Sequence, residues 1–350
     1  MIANPKVLTG LTVLAILFIA GLLGGALGNE FGGGFLGSPL AVIELKAEPL
    51  TAKPIIGNFS ITNTMFTAWI AIVLLALVSY LGTRKMSEVP GRLQGLVEIV
   101  LEIFLNIAEN VAGPEKARRF FPLFMTIFLF IVTSNWLGIL PGFGTIGRFE
   151  PADEFIHHKE VAAEKAGRHL DESTLKMHLF EGEESFVYLP FGSVENEITA
   201  DEYHHHGTEK GQRAGVLIPF LRSANTDINT PLAMALIAMV MVHFWGLRAL
   251  GLGHVRKFLN FREGPIGLFV GLLEGVSELS RIISFTFRLF GNIFAGEVLL
   301  IAMAFLIPLV GLIPFLGLEL FVGLIQAFIF AMLTLVFAST ATISHESDDH

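Results

Sequence analysis

The chain has 350 residues, of which 53% are hydrophobic and 16% charged, and a formal net charge of −9. Soluble domains carry roughly 25% charged residues, so this deficit, with a mean hydropathy of +0.65, excludes an ordinary soluble enzyme and indicates a polytopic membrane protein. The absence of cysteine excludes disulfide scaffolds, thiolate metal sites and cysteine nucleophiles. The acidity is local: residues 145–215 hold 15 Asp+Glu against 7 Lys+Arg, and the rest of the chain is close to neutral. No basic stripe exists to follow a phosphate backbone, so nucleic acid is not an expected partner.

A bilayer crossing takes about 20 mainly apolar residues. In chain order the stretches that qualify are Val7–Leu27, Thr64–Leu81, Phe120–Leu140, Pro231–Leu250 and Leu316–Ala341, with a longer, partly charged region at Ile266–Leu306. The pattern predicts an all-α polytopic membrane protein with about six membrane-inserted helices. The first stretch, within residues 1–30, reads as an extra uncleaved helix; a cleaved signal peptide is the rival, but no A-x-A site follows it. Residues 31–144 hold the next spans. Between them, residues 90–112 predict an amphipathic helix, with Leu93, Leu96, Val97, Val100, Phe104, Ile107 and Val111 opposite Gln94, Glu98, Glu102, Asn106 and Glu109. Such a helix suits either the headgroup boundary or the surface of a partner.

Basic residues set the expected orientation. Arg84, Lys85, Arg92, Lys116, Arg118 and Arg119 crowd one loop, and Arg248, Arg256, Lys257 and Arg262 another, so both are expected in the cytoplasm. The acidic insertion 145–215 then lies outside and both termini inside. It holds seven of the eleven histidines, including His157, His158 and His204–His206. No two of them share a helical i,i+4 spacing with an acid between, so no metal site is predicted and a solvated acidic domain sensitive to external pH is expected.

The chemistry lies in residues 216–350. On a helix at about 100° per residue, Glu274, Glu278, Arg281, Arg288 and Asn292 fall within roughly an 80° arc, with Ser277 and Ser284 beside it and Glu297 on another side. An arginine near a helix centre costs about 2.5–3.5 kcal/mol on insertion scales. Arg281 can snorkel towards the headgroups; Arg288, about two turns deeper, has fewer escapes. It either pairs with Glu274 or Glu278 as internal glue or faces a partner. Guanidinium does not give up its proton, but its charge favours the ionised form of a nearby carboxylate. A facing arginine would therefore make a passing carboxyl group release its proton, and would interrupt any continuous proton wire. Glu319 and Gln326, seven residues apart, share a face of the last helix, with Thr334 about 60° away. Pro308, Gly311 and Pro314 mark a turn that allows the last two helices to pair as a hairpin.

RLFGNIFAGE (Arg288–Glu297), QAFIFAMLT (Gln326–Thr334), VPGRLQGLVE (Val89–Glu98), FFPLFMTIFLFIVTSNWLGILPG (Phe120–Gly142) and ANTDINTPLAMAL (Ala224–Leu236) resemble, in order, subunit a of the F-type ATP synthase. The resemblance implies that the last two helices are long and tilted and form their hairpin against a ring of c subunits. It implies an essential role for Arg288 opposite the ring carboxylate. Asn292, Glu297, Glu319 and Gln326 would belong to the half-channel open to the outside, and Glu274 and Ser280 to the cytoplasmic one. Asp227 and Asn229 would be polar positions at the start of the preceding span. The implied partners are the c-ring, b-type stator subunits, the F1 sector, the lipid bilayer and protons, in a bacterial inner membrane. No cofactor is implied. Ile282 and Ala224 stand where relatives often have proline, and the insertion and the first helix are additions. No G-x-x-x-x-G-K-[ST] exists, so nucleotide is not bound directly. The alternative, a self-contained proton-coupled secondary transporter, would be expected to show internal repeats, and none is seen. No HExxH or G-x-S-x-G suggests a membrane hydrolase.

Overall fold

A computed structural model describes residues 5–24, 47–50, 59–140, 146–165, 167, 170, 172–181, 194–208, 212–256, 258, 264–307 and 309–343. The helices are α1 (Pro5–Gly24), α2 (Asn63–Thr83), α3 (Arg92–Ala112), α4 (Pro114–Ile139), α5 (Ala152–Lys165), α6 (Ala200–His206), α7 (Asn229–Leu250), α8 (Leu252–Arg256), α9 (Gly264–Leu306) and α10 (Ile313–Ala341). Four strands, β1 (Gly147–Pro151), β2 (Lys176–Glu181), β3 (Val194–Thr199) and β4 (Gln212–Pro219), lie within or beside the acidic segment. Among the described residues, five helices are long and apolar enough to cross a membrane: α2, α4, α7, α9 and α10. The first expected span is helical over Pro5–Gly24, and its apolar part is described from Thr9 to Gly24. The protein is an α-helical multi-pass membrane protein.

The chain forms two compact units, one of Met1–Phe66, Gly138–Arg222 and Ala295–Leu320, the other of Thr67–Leu137, Ser223–Phe294 and Phe321–His350. The core of the second is helix on helix. Phe120, Phe124, Ile127 and Ile131 of α4 meet Ala235, Ala238 and Val242 of α7, Phe285 and Leu289 of α9, and Ala327, Phe330 and Ala331 of α10. In lipid the hydrophobic effect does not drive helices together, so close packing must, and the alanines on α7 and α10 permit close approach. Rings fill the remaining gaps: Phe120 lies 4.5 Å from Trp245, and Phe285 4.7 Å from Phe330. Phe285 also stacks on Phe337 while Asn292, further along α9, bonds Gln326, so here α9 and α10 run antiparallel, as a hairpin requires.

Helix α3 departs from its expected face at Gln94, which is buried. Its amide accepts from Ser87 N (3.2 Å) and donates to Ser87 O (3.0 Å) and to Glu98 Oε1 (2.7 Å), replacing water for the preceding turn. Val100, Leu101 and Phe104 pack on the core, whereas Leu93 and Leu96 stay exposed. Gly113 at a φ of 77° separates α3 from α4, and Pro114 then starts α4 where no backbone donor is needed.

In the first unit the strands form an antiparallel sheet in the order β1-β4-β2-β3. The sheet buries Met177, Ala214 and Val216 against Ala152, Phe155 and Ile156 of α5 and Ala200 of α6. Asn63, at the start of α2, donates to Pro219 O at the end of β4 (3.2 Å). Thr199 and Glu202 make a capping box at α6: Glu202 N donates to Thr199 Oγ1 (3.2 Å) and Thr199 N to Glu202 Oε2 (2.9 Å). The Thr199 backbone N–H, with its hydroxyl, holds the Glu202 carboxyl below its usual range. A carboxyl depressed in the folded state contributes stability above its unfolded value and loses it as pH falls through the folded one. Amide protection in α6 should therefore fall below about pH 4, as read by hydrogen exchange, and Thr199→Ala should abolish that step; protection unchanged by acid would contradict it.

Candidate functional site

Arg288 lies in the second unit, on the part of α9 whose buried side carries Phe285 and Leu289. The residue is partly buried, and among the described residues its guanidinium makes one exposed contact, to Ser284 Oγ at 3.4 Å. Within this unit no described carboxylate lies at ion-pair distance from it. Glu278, the nearest acid on the arc, lies about 15 Å back along the helix, out of its reach; it pairs with Arg281 one turn on, and the Arg281 guanidinium sits 4.5 Å over the Phe337 ring. The internal-glue arrangement is thus taken by Arg281 and not by Arg288. One turn beyond Arg288, Asn292 Nδ2 donates to Gln326 Oε1 at 2.7 Å. Gln326 is buried, and this bond fixes the α9 and α10 faces in register beside the arginine.

Glu274 is half-buried and lines a cavity with Glu278, Arg281, His243 and His254. Ser280 is exposed, and its hydroxyl donates to Val276 O (2.8 Å) on its own helix. Asp227 and Asn229 come together at the start of α7: Asn229 N donates to Asp227 Oδ1 (3.2 Å), and Asn229 Nδ2 to both carboxylate oxygens (3.0 and 3.2 Å). This is turn chemistry that begins a helix. Sequence reasoning gave no role to two neighbours. Asn225 Nδ2 donates to Asn135 Oδ1 (2.7 Å), and Asn135 Nδ2 to Gly323 O (3.2 Å), a buried amide chain joining the turn, α4 and α10. Their signal was polarity inside apolar stretches, where an amide must find a partner.

The other unit holds Glu297 and Glu319. Glu297 takes a two-pronged contact from Arg222, Nε to Oε1 at 3.2 Å and Nη2 to Oε2 at 3.3 Å. Arg222 is 8% exposed. It was missed because 75 residues separate the partners, although an arginine directly before the Ser-Ala-Asn-Thr-Asp turn is unusual in so apolar a chain. Glu319 is 7% exposed, and its carboxylate fills the space that a side chain at Gly296 would occupy. Glu297 and the glycine that admits Glu319 are consecutive residues, so one turn of α9 serves both acids. Of the nine predicted positions the structure brings Asn292 to Gln326 one turn from Arg288, Asp227 to Asn229, and Glu297 and Glu319 to one turn of α9, whereas Glu274 lines the cavity and Ser280 lies apart from it on the exposed side of α9.

In the same unit as these two acids, donor atoms of Glu150, Glu154 and His158 lie within 4.8 Å of one another, with His158 Nδ1 2.7 Å from Glu150 Oε1. Such donors can hold a divalent cation. The grouping joins a strand residue to two helical residues four apart, which a search for paired histidines passes over.

Residues 65–339 match the family described as ATP synthase A chain. ATP synthase subunit a of Gloeobacter violaceus is 31% identical over 288 residues, 82% of this chain and 86% of that protein. The subunit a of Solidesulfovibrio magneticus is 29% identical over 79% of this chain and 83% of its own length, and that of Helicobacter pylori 28% over 83% and 96%. With the family match running through every apolar helix from α2 to α10, the chain belongs to the ATP synthase subunit a family, whose members are non-catalytic, proton-translocating membrane subunits of that complex.

Proposed function

We propose that this chain is the stationary wall of a rotary proton path, with two offset half-channels that meet a ring of c subunits at Arg288. The observation that carries the reading is Arg288 itself: partly buried on an apolar helix, it has no described acid within its unit at ion-pair distance. Leaving such a charge uncompensated is costly, so its anion comes from another chain. The surface beside it admits a close helical partner, since Gly291, one turn on and on the same side of α9, has open space where a side chain would stand. A ring carboxyl arriving there neutral, having crossed lipid, meets a cation that cannot deprotonate. Ionisation is favoured at that point, and its proton leaves by whichever half-channel is open beside it.

Glu319 and Glu297 are the acids of the outer half-channel. Arg222 fixes the Glu297 carboxylate in place, whereas Glu319 is packed against Gly296 and is the acid that loads and unloads. Glu274, with Glu278 and Arg281 beside it, lines the inner half-channel. In this reading the membrane is a bacterial inner membrane, the acidic segment lies outside and the C-terminus in the cytoplasm. The b-type stator subunits and the F1 sector bind from the cytoplasmic side, and F1 supplies the nucleotide chemistry.

Two outcomes test this in inverted vesicles carrying the intact complex. Arg288→Ala should abolish ATP-driven proton pumping while the subunit still co-purifies; pumping at the wild-type rate with Arg288→Ala assembled would sink the mechanism. Gly296→Ala should slow pumping severalfold by displacing the Glu319 carboxylate. Combined with Glu319→Gln it should add nothing to the loss caused by Glu319→Gln alone, because both act on one group. Additive losses would show that Gly296 does not act through Glu319.

A further inference from the structure

The cavity beside Glu274 holds two histidines that none of the matched motifs includes. It measures about 70 Å³, room for a few water molecules. His243 of α7 points one ring nitrogen, Nδ1, at His254 Nε2 of α8, 3.1 Å away, and the other, Nε2, towards Glu278 Oε2 of α9 at 3.8 Å. His254 is 5% exposed. Its ring fills the slot left by Gly246: a Cβ there would stand 2.5 Å from His254 Cε1. Phe258 lies across both imidazoles, with its centroid 5.9 and 6.0 Å from theirs. α10 brings Phe337 and Thr340 to the lining and no charge.

Among the described residues the charged groups facing the pair are Glu274, Glu278 and Arg281, two carboxylates against one guanidinium. With both imidazoles neutral the lining carries an excess negative charge, and one proton on the pair cancels it. A hydrogen bond between imidazoles needs one donor nitrogen and one acceptor, so the neutral pair keeps an unprotonated nitrogen available. Imidazole is the side chain whose ordinary titration falls between about pH 5 and 8.

We infer that His243 and His254 form a shared proton-binding site on the inner half-channel, which takes the proton that reaches Glu274 and Glu278 and gives it to water. The inference rests on the proposed function, because only a proton path gives such a site traffic. In each transfer a carboxyl O–H breaks and an imidazole N–H forms, leaving carboxylate and imidazolium. Release to water then restores the neutral pair. The site makes throughput depend on the pH of the solution that this half-channel opens to.

The test uses inverted vesicles of the intact complex, in which that solution is the outer medium, and compares wild type with His243→Gln/His254→Gln. Glutamine keeps a donor and an acceptor but does not titrate. The expected result is a severalfold slower rate of ATP-driven pumping near pH 7, loss of the wild-type pH dependence between about pH 6 and 8, and partial recovery on adding millimolar imidazole. A double variant that keeps the wild-type pH profile, or a slow one that imidazole does not help, overturns the inference. If the double variant does not assemble, His243→Gln alone, at the less buried ring, gives the same reading: a flattened profile supports the site and an unchanged one refutes it. Arg288→Ala in the same vesicles separates the failures. If it pumps normally, the proposed function fails; if it does not pump while the histidine variants keep the wild-type profile, only the histidine site fails.

Discussion

A guanidinium inside an apolar helix must reach water, an anion or another helix's polar atoms, since hydrocarbon offers it nothing. Arg281 satisfies this within its own unit, with Glu278 beside it and Phe337 beneath it. Arg288, two turns on, is a partly buried residue whose head makes, among the described residues, one long contact, to Ser284. The difference between these two arginines organises the rest. Glu278 is held by the first and lies about 15 Å along the helix from the second, which in the proposed reading meets a carboxylate carried by another chain. The Asn292–Gln326 bond holds α9 and α10 together close to it, and the packing of α4 and α7 behind them supplies a rigid back to the wall.

The acids are held apart by different means. Glu297 is paired with a buried arginine, Glu278 with a half-buried one, and Glu319 rests in the gap of a glycine. Carboxylates fixed by guanidinium shape the field around them, while one seated in a glycine's gap is held by packing alone. A single chain can in this way carry several acids along a path without all of them being proton carriers. Glycine is necessary at position 296 for a specific reason: the carboxylate occupies the volume of the missing side chain.

Much of this was legible in the sequence, and the rest was not, for one physical reason. Apolar runs and helical periodicity are local, so the membrane helices and the shared face of Glu274, Glu278, Arg281, Arg288 and Asn292 could be read directly. The pairing of Arg222 with Glu297 depends on tertiary folding across 75 residues, and nothing periodic records it. Gln94 was placed on the polar side of its helix by the same periodicity, yet it turns inward because the Ser87 backbone needs its amide. The acidic segment reads by composition as a solvated region; its sheet was hidden because the strands are short and charged, and bury few residues against α5. His243 and His254 are 11 residues apart on different helices, with Gly246 between them in sequence opening the slot. A lone histidine in an apolar stretch gives no sign of its partner.

The most direct test of the central claim is whether the face around Arg288 meets the acid-bearing helix of the ring. The chain has no cysteine, so a single introduced thiol reports on one position only. Cysteines at Ser284 and Gly291, which flank Arg288 within about 60° on its own side of α9, the first exposed and the second with open space where a side chain would stand, and at Ala331, buried in the core, would each be paired with a cysteine next to the ring carboxylate under mild oxidation. The account predicts cross-linking from Ser284→Cys and Gly291→Cys and none from Ala331→Cys. Failure of both flanking positions to cross-link in a complex that still pumps would contradict it, because Arg288 would then face lipid or another subunit and its anion would have to come from elsewhere.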